Sequence, residues 1–146
     1  MPSNQSLITF HFLTQTSLSE RNRLRAFLKN LFRREGFRLE ALSFIFCDDV
    51  YLLDLNRRYL EHDYYTDILT FPFSGAKSRV ISGEVYISVE RVRDNAKNLE
   101  QTFRQELHRV IFHGALHLCH YRDKTRKETT LMRQKEDHYL KSYFKK

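Results

Sequence analysis

The sequence contains no tryptophan, two cysteines, two prolines and four glycines in 146 residues. Cys47 and Cys119 are too few for a disulfide framework, and such usage suits a reducing cytoplasm. No apolar run approaches the ~18 residues that a membrane-spanning helix needs, so no membrane association is expected. The opening Met-Pro-Ser-Asn-Gln lacks the charged and apolar regions of a signal peptide, which agrees with a cytoplasmic location. There is no internal repeat, no low-complexity tract and no obvious linker. One domain over residues 1–146 is therefore expected, long enough to bury a sizeable core.

What is abundant is positive charge. Lys and Arg number 25 against 18 Asp and Glu, a formal net charge of +7. That balance favours nucleic acid or another polyanion as partner.

Hydrophobic periodicity alternates between strand and helix. Residues 7–13 form a short apolar-rich run that reads as a strand. Ser17 or Ser19 is placed to cap the helix that follows, with Glu20 in its first turn. Leu24, Phe27, Leu28, Leu31 and Phe32 recur on one face of that helix as a core stripe. Arg21, Arg25, Lys29 and Arg33 repeat every four residues on another face, which reads as a solvated surface. Residues 38–47 read as a strand, Asp48-Asp49 as a cap and residues 50–59 as a short helix. Strands are expected over residues 67–73 and 83–89, joined by a polar hairpin connection, with Pro72 at a strand end or edge. Residues 91–120 read as helical in two pieces that break near Asn98, and residues 124–144 as a closing helix. The fold class implied is α+β, with roughly four strands in a mixed sheet covered by helices.

The segment richest in chemistry is His113-Gly-Ala-Leu-His117-Leu-Cys-His120-Tyr-Arg-Asp123. Residues i and i+4 lie on one face of a helix, so His113 and His117 can reach a single metal ion. Asp123 follows His117 by six residues, roughly 240° further around a continuous helix. It joins the pair only if the helix stops near residue 119 and the chain turns back. Two histidines and a carboxylate with open positions left over suit a catalytic rather than a structural zinc. Zinc hydrolases of the H-x-x-x-H-x-x-G-x-x-[HD] type place Gly at this turn, where the present chain has His120. His120 is then either a left-handed helix cap, since His is enriched among such residues, or a ligand in place of Asp123. Cys119 reads as a packed thiol.

Phe103, Leu107, Val110, Ile111, Gly114 and Leu118 fall within about a 100° arc of the same helix, with the two histidines at its margin. Gly114 lies inside that arc and permits close approach of a neighbouring element. It also stands where H-E-x-x-H proteases carry their general base, which argues against peptide hydrolysis.

The segment resembles the signature H-G-x-L-H-L-x-G-Y-D-H of the YbeY-type endoribonucleases, bacterial factors of ribosomal RNA maturation. His113, Gly114, Leu116, His117, Leu118 and Tyr121 match it, and the third family ligand falls on Asp123. Two upstream blocks add to the likeness. Residues 56–73, with Asn56, Tyr59, Asp63, Thr66, Asp67, Thr70, Phe71, Pro72 and Phe73, are similar to N-x-x-Y-R-x-x-D-x-x-T-D-V-L-S-F-P-F. Residues 83–88 are similar to G-D-I-x-I-S. One departure stands out: Leu60 occupies the place of an Arg that helps bind phosphate, a charge Arg57, Arg58 or His62 could supply instead.

The resemblance implies a zinc-dependent endoribonuclease that hydrolyses single-stranded RNA. It implies one Zn²⁺ per chain on His113, His117 and Asp123, with ribosomal RNA, the small ribosomal subunit and its proteins as partners. A water on the ion, brought toward neutral pKa, is the expected nucleophile. His62 is the one further catalytic candidate. Asp67 is expected to orient a ligand histidine from behind, while Asp63 and Asp67 also suit caps or turns. Two other functions compete. One is a ribosome-maturation RNA-binding factor with structural zinc, favoured by Leu60. The other is a metallohydrolase of a different substrate class.

Overall fold

The computed structural model describes residues 7–62 and 66–145; Asp63 lies outside them. The elements run β1 (Ile8–Phe12), α1 (Arg21–Arg34), β2 (Arg38–Cys47), α2 (Asp49–Leu60), β3 (Ile68–Pro72), β4 (Val80–Ser88), α3 (Val89–Asn98), α4 (Phe103–Leu118) and α5 (Arg126–Phe144). One sheet of order β1-β2-β4-β3 collects all four strands. β1 and β4 each pair with β2 in parallel, and β3 pairs with β4 antiparallel at the opposite edge from β1. The class is α+β with a mixed sheet, as the alternating periodicities imply. No helix among the described residues is long and apolar enough to cross a membrane.

Two boundaries depart from the sequence expectation, each for a local reason. Neither Ser17 nor Ser19 caps α1. Its N-cap position is Glu20, held left-handed at φ 54° with no side-chain cap. The Glu20 carboxylate instead accepts from Arg104 at 2.9 Å, a contact 84 residues away that local signals cannot reveal. The strand expected over residues 83–89 starts earlier and ends sooner, because the Ser88 hydroxyl accepts from the Arg91 N–H and turns the chain into α3. The break between α3 and α4 follows Asn98. Glu100 is left-handed, the Gln101 N–H reaches the Ala96 carbonyl, and Thr102 caps α4 through the Gln105 N–H.

The core lies between one face of the sheet and helices α1, α4 and α5. Leu24, Leu28, Leu31 and Phe32 of α1 meet Leu42, Phe44 and Phe46 of β2 and Phe112, Ala115 and Leu116 of α4. Burying each of these large side chains stabilises the fold by about 1.5–3 kcal/mol before entropy is charged against it. α4 is covered far more widely than one arc. Glu106, His108, Phe112, Ala115 and Leu116 are buried as well, because α3, α5 and the sheet enclose it from different sides. A Cβ on Gly114 would stand 2.8 Å from Ile68 Cδ1 and 3.0 Å from Val85 Cγ1, so α4 sits tight on β3 and β4 here. That contact fixes the height of His113 beside the edge strand.

Candidate metal centre

α4 ends in a Schellman turn. The Tyr121 N–H donates to the Leu116 carbonyl at 3.1 Å and the His120 N–H to the His117 carbonyl at 2.9 Å. Between them His120 takes φ 72°, the left-handed position that favours Gly and tolerates His. The chain doubles back, and Asp123 returns to the histidine face. Its Oδ2 lies 3.3 Å from both His113 Nε2 and His117 Nε2. One ligand atom from each of the three residues falls within 4.8 Å of the others.

This donor set fits zinc. An ion about 2.0–2.1 Å from each of several tetrahedrally placed ligands separates them by about 3.3–3.4 Å, which matches the carboxylate–imidazole spacing. Both Nδ1 atoms are already committed. His113 Nδ1 donates to Glu136 Oε2 at 2.6 Å, and His117 Nδ1 donates to the Tyr121 carbonyl at 2.9 Å. With the proton held on Nδ1, each Nε2 keeps a lone pair aimed at the shared centre, the arrangement typical of metal-bound histidine. Both rings and Asp123 are partly exposed, so the centre opens to solvent on one side.

The electrostatics of the pair are asymmetric. Burial disfavours the His113 cation, but the Glu136 hydrogen bond and charge, with Asp123 and Asp67, outweigh it and shift the ring's pKa upward. Burial and then the neighbouring His113 push His117 down. In the metal-free protein a proton therefore rests on His113 more readily than on His117.

Beside the cluster lies a cavity of about 280 Å³, lined among others by Asp67, Glu106, Arg109, Asp123 and Arg133. Asp67, expected behind a ligand histidine, takes a different place. Its carbonyl accepts from the Ser88 N–H, tying the start of β3 to β4, and its Oδ2 accepts from Asn95 Nδ2 at 3.5 Å. Burial pushes its carboxyl up, against the pull of His113. The acceptor for His113 is Glu136, which the sequence reading missed. The available signal was a carboxylate on the buried stripe of α5, in step with Met132, Tyr139 and Tyr143.

His120, the alternative third ligand, turns away: its Nε2 meets the Ser78 carbonyl at 2.8 Å, and its ring stands edge-on to Phe37. Cys119 is buried, and burial pushes its thiol up to about 12. His62 is exposed beyond the end of α2 and is not among the described residues lining the cavity. Arg58 pairs with Asp54 at 3.1 Å along α2. The cations that do line the cavity are Arg109 and Arg133. Arg109 is engaged by Glu136 at 3.0 Å and Asp137 at 2.9 Å.

A sequence profile described as "Endoribonuclease YbeY" matches residues 11–144. The Endoribonuclease YbeY of Cytophaga hutchinsonii is 46% identical over 133 residues, covering 91% of this chain and 92% of that protein. The Endoribonuclease YbeY of Flavobacterium psychrophilum is 39% identical over 137 residues, covering 94% and 96%. The solution structure of TM1509 from Thermotoga maritima superposes with a TM-score of 0.61 at 25% identity, covering 92% of this chain and 89% of that one. With a profile spanning residues 11–144 and relatives matched over more than nine tenths of both chains, the chain belongs to the YbeY endoribonuclease family.

Proposed function

We propose that this protein is a zinc-dependent endoribonuclease that hydrolyses phosphodiesters of single-stranded RNA during ribosomal RNA maturation in the cytoplasm, working with the small ribosomal subunit and its proteins. The observation that carries the proposal is the convergence of His113 Nε2, His117 Nε2 and an Asp123 oxygen with both Nδ1 positions already satisfied. Zinc, when bound, supplies a Lewis acid for a phosphoryl oxygen and a water whose pKa falls toward neutrality. The chain's own residues do the rest. Glu136 and the Tyr121 carbonyl hold the imidazoles in the required tautomer. Arg133, at the cavity wall, offers a cation to phosphate in a chain that carries Leu60 where the family pattern has Arg. The +7 charge draws the RNA backbone in.

Leu60 favours one competing function, an RNA-binding maturation factor whose metal is structural. The two separate on a single-stranded RNA substrate incubated with and without chelator, beside measured zinc content. The enzyme is expected to carry about one zinc per chain and to lose cleavage with chelator and in His117→Ala. Normal RNA affinity with no metal-dependent turnover would leave the binding factor. Unchanged cleavage in His117→Ala would sink the mechanism.

A further inference from the structure

Glu35 lies far from the ligand segment in sequence, at the C-cap of α1. Its carboxylate gathers three donors, one from the turn after α4 and two from α5. Tyr121 Oη donates to Oε1 at 2.7 Å, while Lys135 Nζ donates to Oε2 at 3.2 Å and Tyr139 Oη donates to the same oxygen. Only about a tenth of the Glu35 side chain is exposed. Burial alone would raise its carboxyl, but the three donors reverse that and hold it below the ordinary value, so it stays ionised. Lys135 also sits over the Tyr121 ring, 5.5 Å from its centre.

These partners are the carriers of the two groups that orient the histidines. Tyr121 supplies the carbonyl that accepts from His117 Nδ1. Lys135 and Tyr139 flank Glu136, which accepts from His113 Nδ1. One carboxylate at the end of α1 thus ties the post-helix turn, through one side chain, to α5, through two more.

We infer that Glu35 is a positioning residue for the metal centre, a clasp that holds the Tyr121 carbonyl and Glu136 together against the Nδ1 atoms of His117 and His113. The inference rests on the proposed zinc site. Partners of ligand histidines change metal affinity by about 10–100-fold when removed, and the clasp governs both at one remove.

The test measures zinc affinity by competition with a chromophoric chelator, well below each variant's melting temperature. It also reads the imidazole tautomers of the metal-free protein by long-range proton–nitrogen NMR. Glu35→Ala is expected to weaken zinc about 10-fold and to release His117 from its single Nδ1–H tautomer. Glu35→Gln, which keeps an acceptor oxygen at the same reach, should recover much of that loss. Tyr121→Phe, which removes only the phenol oxygen, should weaken zinc in the same direction and covers the event that Glu35→Ala does not fold. Phe32→Leu, a core change on the same helix, should lower the melting temperature and leave zinc affinity alone. Equal zinc affinity and an unchanged tautomer in both Glu35→Ala and Tyr121→Phe would overturn the clasp while the metal site stands. A wild type that takes up no zinc would sink the site and the clasp together.

Discussion

Among single residues, the buried acids described separate into those whose carboxylates are hydrogen-bonded and one with an unbonded oxygen. Glu136 is satisfied by His113 and Arg109, and Glu35 by three donors. Glu106 is also buried, but its Oε1 has no hydrogen-bond partner among the described residues, with Arg109 Nε 3.9 Å away. Burial raises its carboxyl above the ordinary 4.5; Arg109 opposes that, and Asp67 and Glu136 add to it. A carboxyl raised on folding contributes most to stability below its unfolded pKa and loses that contribution as pH rises through the folded value. Glu106→Gln, neutral at every pH, should therefore gain on the wild type with rising pH. Urea unfolding at pH 5 and pH 8 is expected to show the variant's advantage growing by roughly 1 kcal/mol, the scale of an unsatisfied buried polar group. An advantage that shrinks toward pH 8 would mean that the Arg109 contact outweighs burial.

At the level of elements, the turn after α4 decides whether three ligand residues become one site. Helical spacing revealed the His113–His117 pair, and the need for Asp123 to return revealed the turn. The left-handed His120 was legible because few residue types tolerate that backbone. The orienting groups were not legible in the same way. The Tyr121 carbonyl is main chain and leaves no residue signature, and Glu136 shows only as a charge on an apolar stripe. Which carboxylate backs His113 depends on how α5 lies against α4, a packing fact with no local code. The Ser17 and Ser19 caps were not legible for a related reason: Glu20 takes the N-cap position, and its carboxylate partner is Arg104, 84 residues away. Substitution of His120 tests the turn directly. His120→Gly keeps φ 72° accessible and should retain about one zinc per chain, losing only the Ser78 and Phe37 contacts. His120→Val, β-branched at a left-handed position, should cost about 1–2 kcal/mol in denaturant unfolding. Loss of zinc in His120→Gly would return the imidazole to the ligand set.

Over the whole molecule, strand order and charge both reach the site. The parallel β1-β2-β4 order with β3 added antiparallel puts an edge strand beside α4, so the candidate metal centre opens at the margin of the sheet. The net charge of +7 is expected to govern how RNA is held. If about four phosphates are neutralised, RNA affinity should fall roughly 50-fold between 50 and 200 mM salt. A titration of fluorescent single-stranded RNA against chelated protein at several salt concentrations reads that slope, and a flat response would show that charge does little of the binding. The three ligand residues also lie within eleven positions of one another, six of them in α4. An ion joining them would close a loop of only about ten residues, so it would remove little disorder from the unfolded chain. Metal held here would be a tenant of a finished fold rather than a staple across it. Stripping it should leave the cooperative unfolding transition intact, and the site should empty and refill without the chain having to fold again.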